Sequence, residues 1–172
     1  MSIWKKAAIA VAALLLVAAC GGSANTGSNT SGGINWNAKA PKGGATLNFW
    51  YEFAAGPDQD AVNHLVNEFN QQNQGKIHIN AVYAGAYDDA FSKYKAAIQS
   101  NNIPNVVQIY DIGSRFMIDS KTITPAQTFI DHYKYPIDNI YPSIRGYYNV
   151  HGKQQSMPWN TSMPLLYVNT SM

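Results

Sequence analysis

Between Thr46 and Tyr110 the apolar pattern of this chain switches repeatedly between the period of a strand and that of a helix, and this limits the fold more than any other feature. Residues 46–51, TLNFWY, are rich in aromatics and follow the pair Gly43-Gly44, which predicts a strand. Gly56-Pro57-Asp58 breaks it. Val62, Leu65, Val66 and Phe69 then recur at spacings of three, four and seven, one stripe of a helix, with Asp58 and Asp60 near its start where negative charge is favoured. Asn73-Gln74-Gly75 ends that helix. Residues 76–83 alternate, with Ile77, Ile79 and Ala81 on one face of a second strand. After a turn at Gly85, a second helix is predicted over Tyr87–Gln99 with Phe91, Tyr94, Ala97 and Ile98 as its stripe. Residues 106–110, VVQIY, form a compact apolar run consistent with a buried parallel strand.

Strand, helix, strand, helix, strand implies right-handed crossovers and an α/β fold with a mainly parallel sheet flanked by helices. In such sheets ligands bind beyond the carboxyl ends of the strands. That rule directs attention to the stretch just after Trp50, to residues 83–87 and to Asp111. Further on, short helices are predicted over Ser114–Ser120 and Ala126–Tyr133. A hairpin is predicted with arms at 145–150 and 154–157 around His151-Gly152-Lys153, and a final strand over 165–169. No internal repeat is visible.

The N-terminal part cannot contribute to this core. Lys5 and Lys6 precede a wholly apolar run, residues 7–19, thirteen long and ending in Ala18-Ala19 before Cys20, the single cysteine. A membrane span needs roughly 20 apolar residues, so the run has the length of a signal-peptide apolar region instead. Small residues directly before a cysteine have the form of a bacterial lipoprotein signal. The expectation is a signal peptide over 1–19, lipid attachment at Cys20, a Gly/Ser/Asn/Thr linker over 20–44, and a folded region over 45–172. With one cysteine no internal disulfide can form.

The formal charge of +2 comes from twelve basic and ten acidic residues, and cleavage before Cys20 would remove Lys5 and Lys6 and bring it to zero. No basic stripe suited to nucleic acid remains, so no nucleic-acid partner is expected. Richness in Asn, Gln, Tyr and Trp suits polyol or carbohydrate ligands, and equally a polar extracellular surface.

Several runs, in their order, resemble a known family: LNFWYEF (47–53), AVNHLVNEFNQ (61–71), VYAGAYDDAF (82–91), NNIPNVVQIYDIGSRFMIDSKTI (101–123) and IYPSIRGYYNVHGKQQSMPWNTSMPLLYVN (140–169). The chain resembles the solute-binding proteins of bacterial ABC importers in the branch that takes sugars, and among them the glycerol-3-phosphate binding proteins. The resemblance covers essentially everything after residue 45. It implies a periplasmic-binding-protein type II-like first lobe, with the second lobe, including the basic residue that would neutralise phosphate, largely missing. It implies capture of glycerol 3-phosphate, a glycerophosphodiester or a sugar, delivery to ABC permease subunits, and work at the outer face of the bacterial cell membrane.

The resemblance also assigns three ligand residues. The second tyrosine of Tyr-x-Gly-x-Tyr is Tyr87, the acid after the third strand is Asp111, and the hydroxyl of Asn160-Thr161-Ser162 is Ser162. Tyr87 and Ser162 would donate to phosphate oxygens, and Asp111 would accept from glycerol hydroxyls. The family commonly has glutamate where Asp111 stands and Asn-Ser-Ser where this chain has Asn-Thr-Ser. Each residue also has a local reading: Tyr87 opens a helix, Asp111 suits a helix cap, and Ser162 lies in a turn before Pro164. Trp50 reads as core, while Trp159 could fill core or stack on a ligand.

Catalytic and cofactor signals are sparse. His64, His78, His132 and His151 show no metal-ligand spacing, and no phosphate-cradling loop is present, so neither metal nor cofactor is expected. Ser92-Lys93-Tyr94-Lys95 fits S-x-x-K, the acyl-enzyme pattern, without its S-D-N or K-T-G companions. The chain is therefore expected not to be an enzyme. The alternatives are a surface serine hydrolase using Ser92 and Lys95, or a truncated fragment that binds nothing.

Overall fold

The computed structural model describes residues 34–162 and 164–171. Cys20, the apolar run and most of the expected linker lie outside them. The chain divides after Ala38. Residues 34–38 form a turn in which the Trp36 N–H donates to the Ile34 carbonyl at 3.1 Å. All that follows concerns residues 39–171.

Three parallel strands carry the fold. β1 (Ala45–Tyr51) is central, with β2 (Ile77–Tyr83) in full register along one side, from Ala45 opposite Ile77 to Tyr51 opposite Tyr83. β3 (Val106–Val107) pairs with Phe49 and Trp50 on the other side, giving the order β2-β1-β3. α1 (Pro57–Gln72) and α2 (Tyr87–Gln99) are the crossovers, and α2 has the bounds that its periodicity predicts. Proline at the first turn and Asp58 and Asp60 beside it suit the α1 N-terminus. Asn70 fastens α1 to β2: its Nδ2 donates to the Ile79 carbonyl at 2.9 Å and its Oδ1 accepts the Ile79 N–H at 2.7 Å.

The core follows the strand alternation. Phe49, Tyr51 and Val62 are buried together, with Phe53, Val66, Ile79 and Ala81 packed around them. Of the α1 stripe only Val62 is fully buried. Leu65 (52% exposed) and Phe69 (38%) instead line an open apolar hollow with Phe49, Val106 and Trp159. On α2, Ala90, Tyr94 and Ala97 are buried, and the Tyr94 hydroxyl pairs with Thr122 Oγ1 at 2.8 Å.

The expected third strand over 106–110 is shorter in the structure, and Gln108 explains why. Its N–H still bonds the Trp50 carbonyl at 2.8 Å. However, its side-chain Oε1 accepts the Glu52 N–H at 3.0 Å, the place a backbone carbonyl would take in a longer ladder. The backbone is thereby free to turn into a 3₁₀ turn over Asp111–Gly113, which leads into α3 (Ser114–Ser120). A Cβ on Gly113 would stand 2.6 Å from Ile109 Cγ2, so the turn packs this closely only with glycine. Val106 is half exposed rather than buried, because β3 is an edge strand among the described residues.

α4 (Ala126–Tyr133) lies where its pattern predicts, and a short 3₁₀ turn spans Ile137–Asn139. Two later expectations are corrected. Residues 145–147 do not form a hairpin arm; they end a helix, α5 (Pro142–Tyr147), which Pro142 starts at its first position. The hairpin is confined to β4 (Asn149–Val150) and β5 (Lys153–Gln154), joined through His151 and Gly152, both at positive φ as a tight hairpin turn requires. Residues 165–169 are not a strand. Leu165, Leu166, Tyr167 and Val168 are 65–89% exposed and have no ladder partner among the described residues, and a strand needs one.

Candidate functional site

Where β1 and β3 end and α2 begins, the chain leaves a cleft of about 460 Å³. Five separate segments build it. Glu52 follows β1 directly. Tyr87 is the first residue of α2. Residues 108–111 follow β3, and α5 with the 160–162 segment closes the far side. Its position beyond the carboxyl ends of parallel strands is the one the topology predicts.

Tyr87, Asp111 and Ser162, the three residues singled out on sequence, all line this cleft. Tyr87 reaches it because Gly85, at φ +113°, turns the chain sharply after β2. A side chain at Gly85 would meet Asp89 Cβ at 2.7 Å. The Tyr87 ring stacks on Tyr110 with centroids 5.3 Å apart and planes 13° from parallel. The Tyr110 hydroxyl donates to Asp88 Oδ1 at 3.0 Å, and Phe91 meets the Tyr110 ring edge-on. Asp111 is the first residue of the 3₁₀ turn and Tyr110 its cap position; Asp111 Oδ2 accepts from the Tyr147 hydroxyl at 3.0 Å. Ser162 is exposed, on the segment that reaches the cleft from the far side.

Sequence reasoning missed Glu52, Gln108, Tyr110, Tyr147 and Tyr148, which line the same cleft. Tyr147 and Tyr148 stand in the GYYN run, so a signal was present. Glu52 lies in the stretch just after Trp50 to which the topology points, but nothing in the sequence singled out that residue. Trp159 does not line the cleft. It is half exposed and meets Phe49 at 5.9 Å, edge to face. Ser92 and Lys95 are exposed on α2 outside the lining, with Lys95 Nζ 4.6 Å from the centre of the Phe91 ring. Among the described residues no cluster of His, Cys, Asp or Glu could hold a metal ion.

The electrostatics are acidic and aromatic. Among the described residues the lining has no Lys, Arg or His and carries Glu52 and Asp111. Burial pushes the Glu52 carboxyl up from 4.5 to about 7, and the Tyr110 backbone N–H draws it back only in part, since no hydrogen bond of standard geometry reaches either oxygen. The Tyr110 phenol is raised chiefly by its hydrogen bond to Asp88, the Tyr147 phenol by its hydrogen bond to Asp111, and Tyr148 by burial, then Asp111. These phenols stay neutral at physiological pH and serve as hydroxyl donors and acceptors around a small polar ligand.

Residues 64–172 match the family model described as bacterial extracellular solute-binding protein. The sn-glycerol-3-phosphate-binding periplasmic protein UgpB of Brucella abortus is 33% identical over 124 residues, covering 70% of this chain and 28% of the relative. UgpB of Salmonella typhimurium is 33% identical over 128 residues, covering 72% and 29%. The chain thus spans under a third of the length of these curated relatives. Among solved structures, UgpB from Mycobacterium tuberculosis in complex with glycerophosphocholine superposes with a TM-score of 0.55 at 21% identity, over 63% of this chain and 27% of that one. The cyclic α-maltosyl-1,6-maltose binding protein from Arthrobacter globiformis gives 0.55 at 19% identity, over 65% and 27%. These neighbours have the type II periplasmic binding protein fold, and the α/β sheet and helices described here form part of that fold.

Proposed function

The chain belongs to the bacterial extracellular solute-binding proteins, and from that premise we propose that it captures glycerol 3-phosphate, a related glycerophosphodiester or a sugar for delivery to an ABC permease. The observation that carries this reading is the convergence of Tyr87, Asp111 and Ser162, up to 75 positions apart in sequence, on one cleft at the strand ends. Their chemistry suits a glycerol moiety. Asp111 accepts from hydroxyls, and the hydroxyls of Tyr87 and Ser162 donate to ligand oxygens without adding charge. Each satisfied pair contributes about 1 kcal/mol net, while a buried partner left unpaired costs roughly 1–3 kcal/mol, which gives such a cleft its selectivity. The curated relatives are named for binding glycerol 3-phosphate, and one structural neighbour holds glycerophosphocholine.

In this reading ligand capture involves two lobes closing about a hinge, with the cleft described here as the contribution of one lobe. Residues 1–19 act as the signal, Cys20 carries the lipid and residues 20–44 tether the domain to the outer face of the membrane. A diacyl group holds such a tether firmly, each buried methylene adding about 0.8 kcal/mol. The protein binds and delivers and does not catalyse. Isothermal titration of a version carrying both lobes with glycerol 3-phosphate, glycerophosphocholine and maltose tests the ligand class. Saturable heat with one of them is expected, and silence with all three would sink the reading.

A further inference from the structure

Glu52 occupies a place where a carboxyl is costly. It is 4% exposed, and neither carboxyl oxygen meets a hydrogen-bond partner of standard geometry among the described residues, the Tyr110 backbone N–H easing its burial only in part. A buried polar group without a partner is destabilising and in a native fold calls for an explanation. The backbone around it is well tied: its N–H donates to Gln108 Oε1, and Gln108 in turn bonds Trp50. The carboxyl itself contributes no hydrogen bond of standard geometry to that frame. It does line the cleft, beside Gln108, Tyr110 and Asp111.

We propose that Glu52 sets the charge of the cleft wall and so decides how strongly anionic ligands are held. While Glu52 is protonated, Asp111 is the other acid of the lining and the wall carries at most its single charge. Once Glu52 is ionised the wall carries one more negative charge, and the lining offers no Lys, Arg or His to offset it. Like charges in a partly desolvated cleft repel far more than in water. This inference rests on the glycerophosphate reading above and extends it from ligand class to control of affinity.

The titratable groups around Glu52 come from every side of the cleft. Tyr51 precedes it on β1, Tyr110 and Asp111 follow β3, Tyr87 and Asp88 open α2, and Tyr147 and Tyr148 end α5. Tyr110, Tyr147 and Tyr148 are raised above the ordinary phenol range and keep their protons through neutral pH. Burial places the Glu52 carboxyl at about 7, so its charge changes in the physiological range.

The test is calorimetric binding of glycerophosphoglycerol, a phosphodiester whose single negative charge is fixed across neutral pH. It is measured from about pH 5.5 to about pH 8.5 on a version carrying both lobes and on its Glu52→Gln variant, which keeps the shape and removes the charge. In the unaltered protein affinity should fall about tenfold with a midpoint near 7, the scale of one added charge in a cleft screened by salt. In Glu52→Gln the profile should be flat. A flat profile in the unaltered protein overturns the proposal whether or not the variant folds, and so does an unchanged slope in the variant. No binding at any pH overturns the ligand reading instead, so the two failures are told apart.

Discussion

The Tyr147 hydroxyl donates to Asp111 Oδ2 at 3.0 Å, joining the end of α5 to the turn after β3 across 36 positions of sequence. This bond holds one acceptor oxygen of Asp111 and leaves the other for a ligand. It ties together two runs, QIYDIG and GYYN, that carry the family likeness without suggesting why they should occur together. Tyr147→Phe should weaken ligand binding about fivefold, the scale of one hydrogen bond worth ~1 kcal/mol. Asp111→Ala should cost more than tenfold, because it removes the proposed ligand contact as well. The two losses should fall short of additive in a titration-calorimetry double-mutant cycle, since both changes break one bond.

Tyr87 offers a ring and a hydroxyl with separable roles. The ring stacks on Tyr110 and the residue lines the cleft, where in the proposed reading its hydroxyl donates to the ligand. Tyr87→Phe should keep the thermal stability and lose about fivefold in affinity. Tyr87→Ala should also lower the melting temperature, since aromatic pairs of this geometry contribute about 0.5–1.5 kcal/mol. Equal melting temperatures for the two variants would show that the stack does not matter.

How much of this was legible before the structure depends on what each residue does. β1, β2 and α2 were readable because their apolar residues recur at the strand or helix period, which reports them whatever they pack on. Asp111 and Tyr87 were readable through motif and topology together. β3 was overestimated because Gln108 uses a side chain where a longer strand would use backbone, and composition cannot reveal that substitution. Residues 165–169 have a strand's composition, but a strand exists only with a partner, and the described residues provide none. Glu52 was missed because burial, the property that makes it unusual, is set by segments more than fifty residues away.

Gly113 tests how tightly the Asp111 turn is held. Gly113→Ala places a Cβ 2.6 Å from Ile109 Cγ2, and overpacking of this kind costs about 1–3 kcal/mol. Because the same turn presents Asp111, affinity should fall together with stability, as denaturant unfolding and calorimetry on one sample would show. Unchanged stability would mean that Ile109 yields freely.

Glu52 also predicts how ligand-free stability depends on pH. Its carboxyl is raised from 4.5 to about 7 on folding, so the folded state holds the proton more tightly than the unfolded state. Its stabilising contribution is complete below about pH 4.5 and is lost as pH rises through about 7, with a slope approaching ~1.4 kcal/mol per pH unit in between. Denaturant unfolding of Glu52→Gln should lack this decline. A decline of equal size in the variant would assign it to other groups.

The most direct measurement is titration calorimetry of glycerol 3-phosphate, glycerophosphocholine and maltose into a version carrying both lobes, with the triple variant Tyr87→Ala, Asp111→Ala, Ser162→Ala as its comparison. The account predicts saturable one-to-one binding of at least one ligand by the unaltered protein, and loss of that binding in a variant that still melts cooperatively. Equal affinity in the two proteins, or no heat from any of the three ligands, would contradict it.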